Sequence, residues 1–285
     1  MTDQAATETG DAATRARFDA FLAELRATAE ADPEIVGLVA MGSTAERDRV
    51  DEWSDHDFAL LTVPGAEDRF RDSLAWLPGA DQIALSVREH HGGMKVIYDD
   101  GRVLEFGITD LPGLAGWHAN AYDVLYDANG VTDAMARVAA RPLPTGGPDD
   151  ARDLALVLTQ LFIGVGRARR GELLSAGNSI RSEAVAYLLP VLGRRVPATG
   201  PERLDSLDPR RRFEAAHPAV GARIDDLLTL RPEDCARALL DLAEELLAPG
   251  WAEFPHRGVA AVRARLGWDP FQSRETAVVR AKTPE

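Results

Sequence analysis

The hydrophobic period of this chain changes once, at the run Arg141-Pro142-Leu143-Pro144-Thr145-Gly146-Gly147-Pro148. Prolines that lack a backbone donor, set beside two glycines, exclude helix or strand through this stretch. Before it, short apolar and β-branched runs occupy 35–41, 58–63, 82–87, 94–98, 102–108 and 122–126, the length and composition of strands. After it, apolar residues recur every three or four positions. Leu154, Val157, Leu158, Leu161 and Val165 form one set, Ile180, Ala184, Tyr187 and Leu188 a second. Ile224, Leu227 and Leu228 form a third, and Leu239, Leu242, Ala243 and Leu246 a fourth. That spacing gives each segment one apolar helical face. The expectation is an α+β chain: a domain at 1–140 with a mixed β-sheet flanked by helices, then an all-α helical bundle at 149–270. From about Ser273 the residues are polar and aperiodic, so 271–285 is read as a tail.

The sheet domain should carry helices too. Phe18, Phe21, Leu22 and Leu25 repeat at helical spacing before Asp32-Pro33 stops the pattern. Phe70, Leu74 and Leu77 share a face over 67–77, and a short helix fits 132–140. Asp99-Asp100-Gly101 supplies a hairpin turn. A helix between two strands and a hairpin between two others together require a mixed sheet.

Of 285 residues, 46 are Asp or Glu and 32 are Lys or Arg, a formal charge of −14. Backbone phosphates are bound by a basic face that releases counterions, so this balance speaks against a nucleic-acid partner. The longest nearly apolar stretch, 154–166, has 13 residues, short of the roughly 20 a membrane span needs. No membrane partner is therefore expected. Cys235 is the only cysteine and has no metal-ligand spacing beside it, so it reads as a quiet thiol. The chain starts with neither a basic leader nor an apolar signal core, and the expected location is cytoplasmic.

Chemistry concentrates between the first two strand runs, where Gly42-Ser43 closes one and Asp55-His56-Asp57 opens the next. Strand alternation puts Asp55 and Asp57 on one face and His56 and Phe58 on the other. Neighbouring carboxylates repel unless a cation joins them, and hard oxygen donors suit magnesium. The bland alternative is an exposed acidic turn. A third acid, Glu105, sits mid-strand in Val103-Leu104-Glu105-Phe106. There it either has a partner, for which a metal would serve, or faces water from an edge strand.

Gly42-Ser43, Asp55, Asp57 and Glu105, in this order and spacing, resemble the signature of the nucleotidyltransferase superfamily related to DNA polymerase beta. Size and the helical second half are similar to bacterial aminoglycoside nucleotidyltransferases, and 164–173 resembles a helix and turn of antibiotic-modifying members. The resemblance implies Mg2+ on Asp55 and Asp57, and a triphosphate gripped by Ser43 and the amide beside Gly42. It implies ATP as nucleotide donor, a hydroxylated small-molecule acceptor such as an aminoglycoside, and AMP transfer with release of pyrophosphate. Glu105 is then a further metal ligand or the general base, and its longer reach than Asp favours the base. The alternatives are a protein or RNA acceptor, or a nucleotide-binding regulator without turnover.

Several residues carry two readings. Arg47 and Arg49 can neutralise phosphate or pair with Glu46, Asp48 and Asp51. His90-His91 adjoin Gly92-Gly93 at a hairpin tip, and Trp117-His118 can line a pocket. The only lysines are Lys95 and Lys282, so a lysine contact to nucleotide falls to one of them. Arg167, Arg169, Arg170, Glu172, Asn178, Arg181 and Glu183 form either a solvent-facing stripe or the wall of an acceptor site.

Overall fold

The computed structural model describes residues 2–141, 149–205, 208 and 210–268. Residues 142–148 of the proline-glycine break, the tail expected at 271–285 and Lys282 lie outside the described residues. The backbone divides into two compact units, Met1–Pro144 and Thr145–Glu285.

The first unit opens with helix α1 (Thr2–Ala31) and strand β1 (Ile35–Met41). A short helix α2 (Gly42–Ala45) and a 3-10 turn (Arg47–Arg49) lead to β2 (His56–Thr62). Then come α3 (Glu67–Asp72), β3 (Ile83–Arg88), β4 (Met94–Tyr98) and β5 (Val103–Asp110). Helix α4 (Leu111–Leu114), β6 (Tyr122–Asp127) and α5 (Val131–Ala139) complete it. All six strands join one mixed sheet in the order β3-β4-β5-β2-β1-β6. Only β2 and β5 run parallel among the pairs; the others are antiparallel.

Alternation along the central strands feeds two cores. Leu38, Phe58, Leu60, Leu104 and Phe106 pack with Phe18, Phe21, Leu22 and Leu25 of α1 and with Phe70 and Leu77. Val39, Ala59 and Leu61, on the opposite face, pack with Leu114 and with Val131, Met135 and Val138 of α5. Strands buried on both faces read as continuous apolar runs, which is why β1 and β2 stand out in the sequence.

Two helices differ from expectation. Helix α1 starts well before Phe18, over a segment whose Ala5, Ala6, Ala12 and Ala13 favour helix without an apolar stripe. Helix α3 ends at Asp72, because Ser73 is extended and the Trp76 indole donates to the Phe70 carbonyl at 2.9 Å. That turn buries Leu77 beside Phe70 without a continuous helix.

The second unit is helical: α6 (Asp150–Arg169), α7 (Leu173–Gly177), a π-helical segment (Asn178–Ala184) and α8 (Val185–Arg195). A 3-10 turn (Pro201–Arg203) follows, then α9 (Phe213–Ala216), α10 (Pro218–Leu228), α11 (Pro232–Leu247) and α12 (His256–Leu266). Asp149 caps α6 by accepting from the Arg152 amide at 2.9 Å. Leu154, Val157, Leu161 and Val165 of α6 form the core with Leu188, Leu192, Leu239 and Ala243. Cys235 is buried here, and burial pushes its thiol pKa up. Among the described residues no helix is long and apolar enough to cross a membrane.

Three arginines of the polar cluster, Arg167, Arg169 and Arg181, act as staples, while Arg170 with Glu172 and Asn178 with Glu183 form local exposed pairs. Arg169 pairs with Glu233 at 2.5 Å and donates to the Leu266 carbonyl at 2.6 Å, tying α6 to α11 and the end of α12. Arg181 donates to the carbonyls of Leu228, at 2.9 Å, and Leu230, satisfying groups left open where α10 ends. Arg167 donates to the buried Ser179 hydroxyl at 2.7 Å. Cationic side chains at helix C-termini satisfy carbonyls and oppose the dipole, a use that the linear spacing of these residues does not display.

His217, at the start of α10, is buried with its ring against Phe213 at 4.8 Å between centroids. Burial holds its pKa below the ordinary 6.5. The unfolded chain therefore takes the proton first, so this contribution to stability is complete above about pH 6.5 and is lost as pH falls below it. His217→Phe keeps a flat ring and removes the titrating nitrogens. Melting temperature should fall less steeply from pH 7 to 5 in that variant than in the parent; equal slopes would refute the assignment.

Candidate active site

Because β2 returns antiparallel to β1, with Ala40 opposite Phe58, the turn after β1 comes back beside the residues that open β2. Thr44 in that turn is fully buried. Its hydroxyl accepts from the Asp57 amide at 2.8 Å and donates to the Asp55 carbonyl at 3.3 Å. One hydroxyl thus holds the backbone on both sides of His56. Gly42 adopts φ +52°, a left-handed conformation that favours glycine. A Cβ there would stand 3.2 Å from Asp57 Oδ2, so the open space beside this carboxylate also depends on glycine.

The parallel pairing of β2 with β5 puts Asp57 directly opposite Glu105. Asp57, Glu105, Gly107 and Thr109 contribute to the wall of a cavity of about 480 Å3, with Met41 and Trp117. That volume is within the roughly 300–1,000 Å3 of small-molecule sites. Trp117 lies so close over β5 that a Cβ on Gly107 would fall 2.1 Å from its ring. Glu89 and His91, from the β3–β4 connection, line the cavity too.

Glu105 is on an interior strand, not an edge, and its partner is Lys95. Lys95 faces it in antiparallel register, with Nζ 2.6 Å from Glu105 Oε2 and 3.9 Å from Glu89 Oε1. The Glu105 carboxylate holds the Lys95 pKa above its ordinary 10.5, against a smaller opposing effect of burial, and the charges of Glu89 and Asp55 add to the rise. Lys95 is therefore a persistent cation in this row. The expected alternatives for Glu105, a metal or open water, omitted an ammonium from the neighbouring strand.

His56 points away from this cavity. It is buried, stacked on Phe18 at 3.8 Å, and its pKa is pushed down to about 4 by burial. With Phe58 in the same core, it fixes the opposite face as the one from which Asp57 projects.

The other expected site residues are placed less centrally. Asp55 lies one residue before β2 and outside the cavity wall, while Ser43 is half-buried in α2. Arg47 turns toward α1, 3.5 Å from Asp19 and above the Phe18 ring, and Arg49 pairs with Glu46. The structure therefore brings Gly42, Asp57 and Glu105 together and directs Arg47 elsewhere. Among the described residues, no three His, Cys, Asp or Glu side chains are grouped so as to hold a metal ion. Thr44 carried no expected role, although a hydroxyl residue directly after Gly-Ser was its available signal.

No protein-family model matches this chain, and no curated protein matches it. Its similarity to a solved structure is slight. An aminoglycoside 6-adenyltransferase from Bacillus subtilis aligns over 90% of this chain and 95% of its own, at 10% identity and a TM-score of 0.26. The internal geometry therefore carries the functional argument.

Thr44→Val keeps the side-chain shape and removes both hydroxyl bonds, leaving the Asp57 amide without that acceptor. A loss of about 1–3 kcal/mol in urea unfolding is expected, with Thr44→Ser close to the parent. Equal losses in the two variants would show that packing, not the hydroxyl, holds this turn.

Proposed function

We propose that this chain is a magnesium-dependent nucleotidyltransferase that moves AMP from ATP to a hydroxyl of a small molecule, releasing pyrophosphate. The observation that supports it is the in-register pair Asp57 and Glu105, facing a cavity beside the left-handed Gly42 turn. Hard oxygen donors at Asp55 and Asp57 suit a divalent ion, and the missing side chain at Gly42 leaves space against Asp57 Oδ2. Magnesium held by these acids would neutralise charge developing on the α-phosphate in transfer.

In this reading the backbone at Gly42 and the Ser43 hydroxyl grip the triphosphate, where close approach tolerates no side chain. Arg47, held at Asp19, stays outside the grip. The acceptor hydroxyl forms its bond to the α-phosphorus in line as the bond to the β-phosphate oxygen breaks. Lys95 engages Glu105 Oε2, so the hydroxyl proton passes to Oε1. Trp117 and Met41 line the same cavity beside these groups. The nucleotide chemistry falls to residues 1–140 and acceptor selection to 149–270. A net charge of −14 favours a cationic acceptor, such as an aminoglycoside, through field steering.

The test is pyrophosphate release from magnesium-ATP with streptomycin, spectinomycin, kanamycin and lincomycin. Turnover with at least one cationic aminoglycoside is expected, weakened by salt. Asp57→Asn should lower it by about 100-fold or more with an unchanged melting curve. Full turnover in that variant overturns the mechanism, whereas magnesium-ATP binding without turnover on any acceptor overturns the acceptor class.

A further inference from the structure

We infer that strand β3 is a dimer interface, on which a second copy of this chain adds its own β3, antiparallel, about a two-fold axis at Ser86. The inference goes beyond the proposed reaction and does not depend on it. β3 is an edge strand of the sheet, paired only with β4. The Glu89 amide donates to the Gly93 carbonyl at 2.8 Å, and Val87 and Leu85 face Lys95 and Ile97 in the same antiparallel register. Alternation then turns the donors and acceptors of these odd positions toward β4 and those of Ser86 and Arg88 toward the open edge. The strand has neither proline nor lysine, the residues that commonly guard such an edge. Leu85 and Val87 are 55% and 50% exposed, on one face with Ile97 and Val103.

The strand is complementary to itself. Antiparallel pairing about Ser86 sets Leu85 of each copy opposite Val87 of the other, at a position without ladder bonds, where side chains come closest. It also sets Arg88, the one charged residue of β3, opposite Ala84. Pairing about Arg88 would oppose like charges, and pairing about Val87 would set Glu89 against Leu85. Pairing about Leu85 would draw in Gln82 from the 3-10 turn that precedes the strand. Arg88 is held by Asp68 at 3.3 Å, so two chains of formal charge −14 meet at a neutral edge. The axis runs perpendicular to the sheet. The row Asp57, Glu105, Lys95 and Val87 of one copy therefore continues into Leu85, Ile97 and Val103 of the other, and the acids of both copies project from one face of a joined sheet.

The experiment is sedimentation velocity of the full chain over a range of protein and salt concentrations. A reversible dimer is expected, tighter at high salt because screening relieves the repulsion between two acidic copies. Ser86→Pro removes the amide on the axis and leaves the β3–β4 bonds in place, and Leu85→Lys puts a charge into the aliphatic pair. Each should weaken the dimer about tenfold or more. Both positions are exposed, and melting curves verify that the variants fold. Under mild oxidation Ser86→Cys should cross-link to itself, since Cα atoms about 5.5 Å apart across the axis suit a disulfide. Ala84→Cys, away from the axis, should stay reduced, and the buried Cys235 supplies no competing thiol. A parent that is monomeric at every concentration and salt, or a dimer that both Ser86→Pro and Leu85→Lys leave unchanged, overturns the inference. Self cross-linking of Ala84→Cys in place of Ser86→Cys overturns the axis at Ser86 and the inference with it.

Discussion

The parallel pairing of β2 with β5 is the constraint on which the candidate site depends. Parallel neighbours cannot be joined by a tight turn, so the chain must leave the sheet and return. Here the excursion includes α3, β3 and β4 before β5 pairs with β2. The excursion has two consequences. It buries both strands in the middle of the sheet, and it places Asp57 opposite Glu105, residues 48 positions apart in the chain. A slip of one residue in that register would turn Glu105 toward the α1 core and bring Leu104 or Phe106 to the cavity. The apolar cores on the two faces therefore set the position of the acids: Phe58 and Phe106, stacked at 4.7 Å on the α1 side, lock the alternation that sends Asp57 and Glu105 the other way.

Around that pair, local groups finish what register begins. The Thr44 hydroxyl binds the backbone before and after His56, and the neutral, buried His56 occupies a core position between two acids. Gly42 turns the chain through a left-handed conformation without filling the space next to Asp57. Gly107 does the corresponding thing on β5, where the backbone needs no special conformation but the Trp117 ring needs the room. Both glycines serve close approach, one to a carboxylate and one to an indole.

Strands β1 and β2 were legible because burial on both faces writes itself into composition, and the outer strands because their runs are short, apolar and β-branched. The apolar runs at 35–41 and 94–98 became β1 and β4 with the same limits, and the other four shifted by one or two residues at their ends. Helix limits were harder where the determinant was a tertiary bond. Nothing in the spacing of Phe70, Leu74 and Leu77 reveals that the Trp76 indole will close a turn on the Phe70 carbonyl. The acids were legible as a local pattern, Asp55-His56-Asp57, and as an isolated charge in a strand, Glu105. Their partners were not, since Lys95 meets Glu105 only through the β4–β5 register, and Arg47 meets Asp19 only because α1 passes that loop. The arginines at 167, 169 and 181 looked like a stripe for the same reason; their acceptors are carbonyls, carboxylates and hydroxyls on other turns of the bundle.

The division of labour between the two kinds of cation follows from their shape. With two lysines among 32 basic residues, the chain relies on arginine for its structural contacts. A planar guanidinium suits a two-pronged bond, as Arg223 makes with Glu245 at 2.9 and 2.7 Å, or a carboxylate and a carbonyl at once, as Arg169 does. An ammonium is a compact charge with three donors and no fixed plane. The one lysine among the described residues stands where several acids approach from different directions: Glu105 in register on β5, Glu89 from the hairpin and Asp55 from the mouth of β2. A guanidinium there would impose its own geometry on one carboxylate. The smaller ammonium can face several carboxylates at once while bonding only one oxygen of Glu105, so the rarest basic residue sits where a point charge, and not a fork, fits.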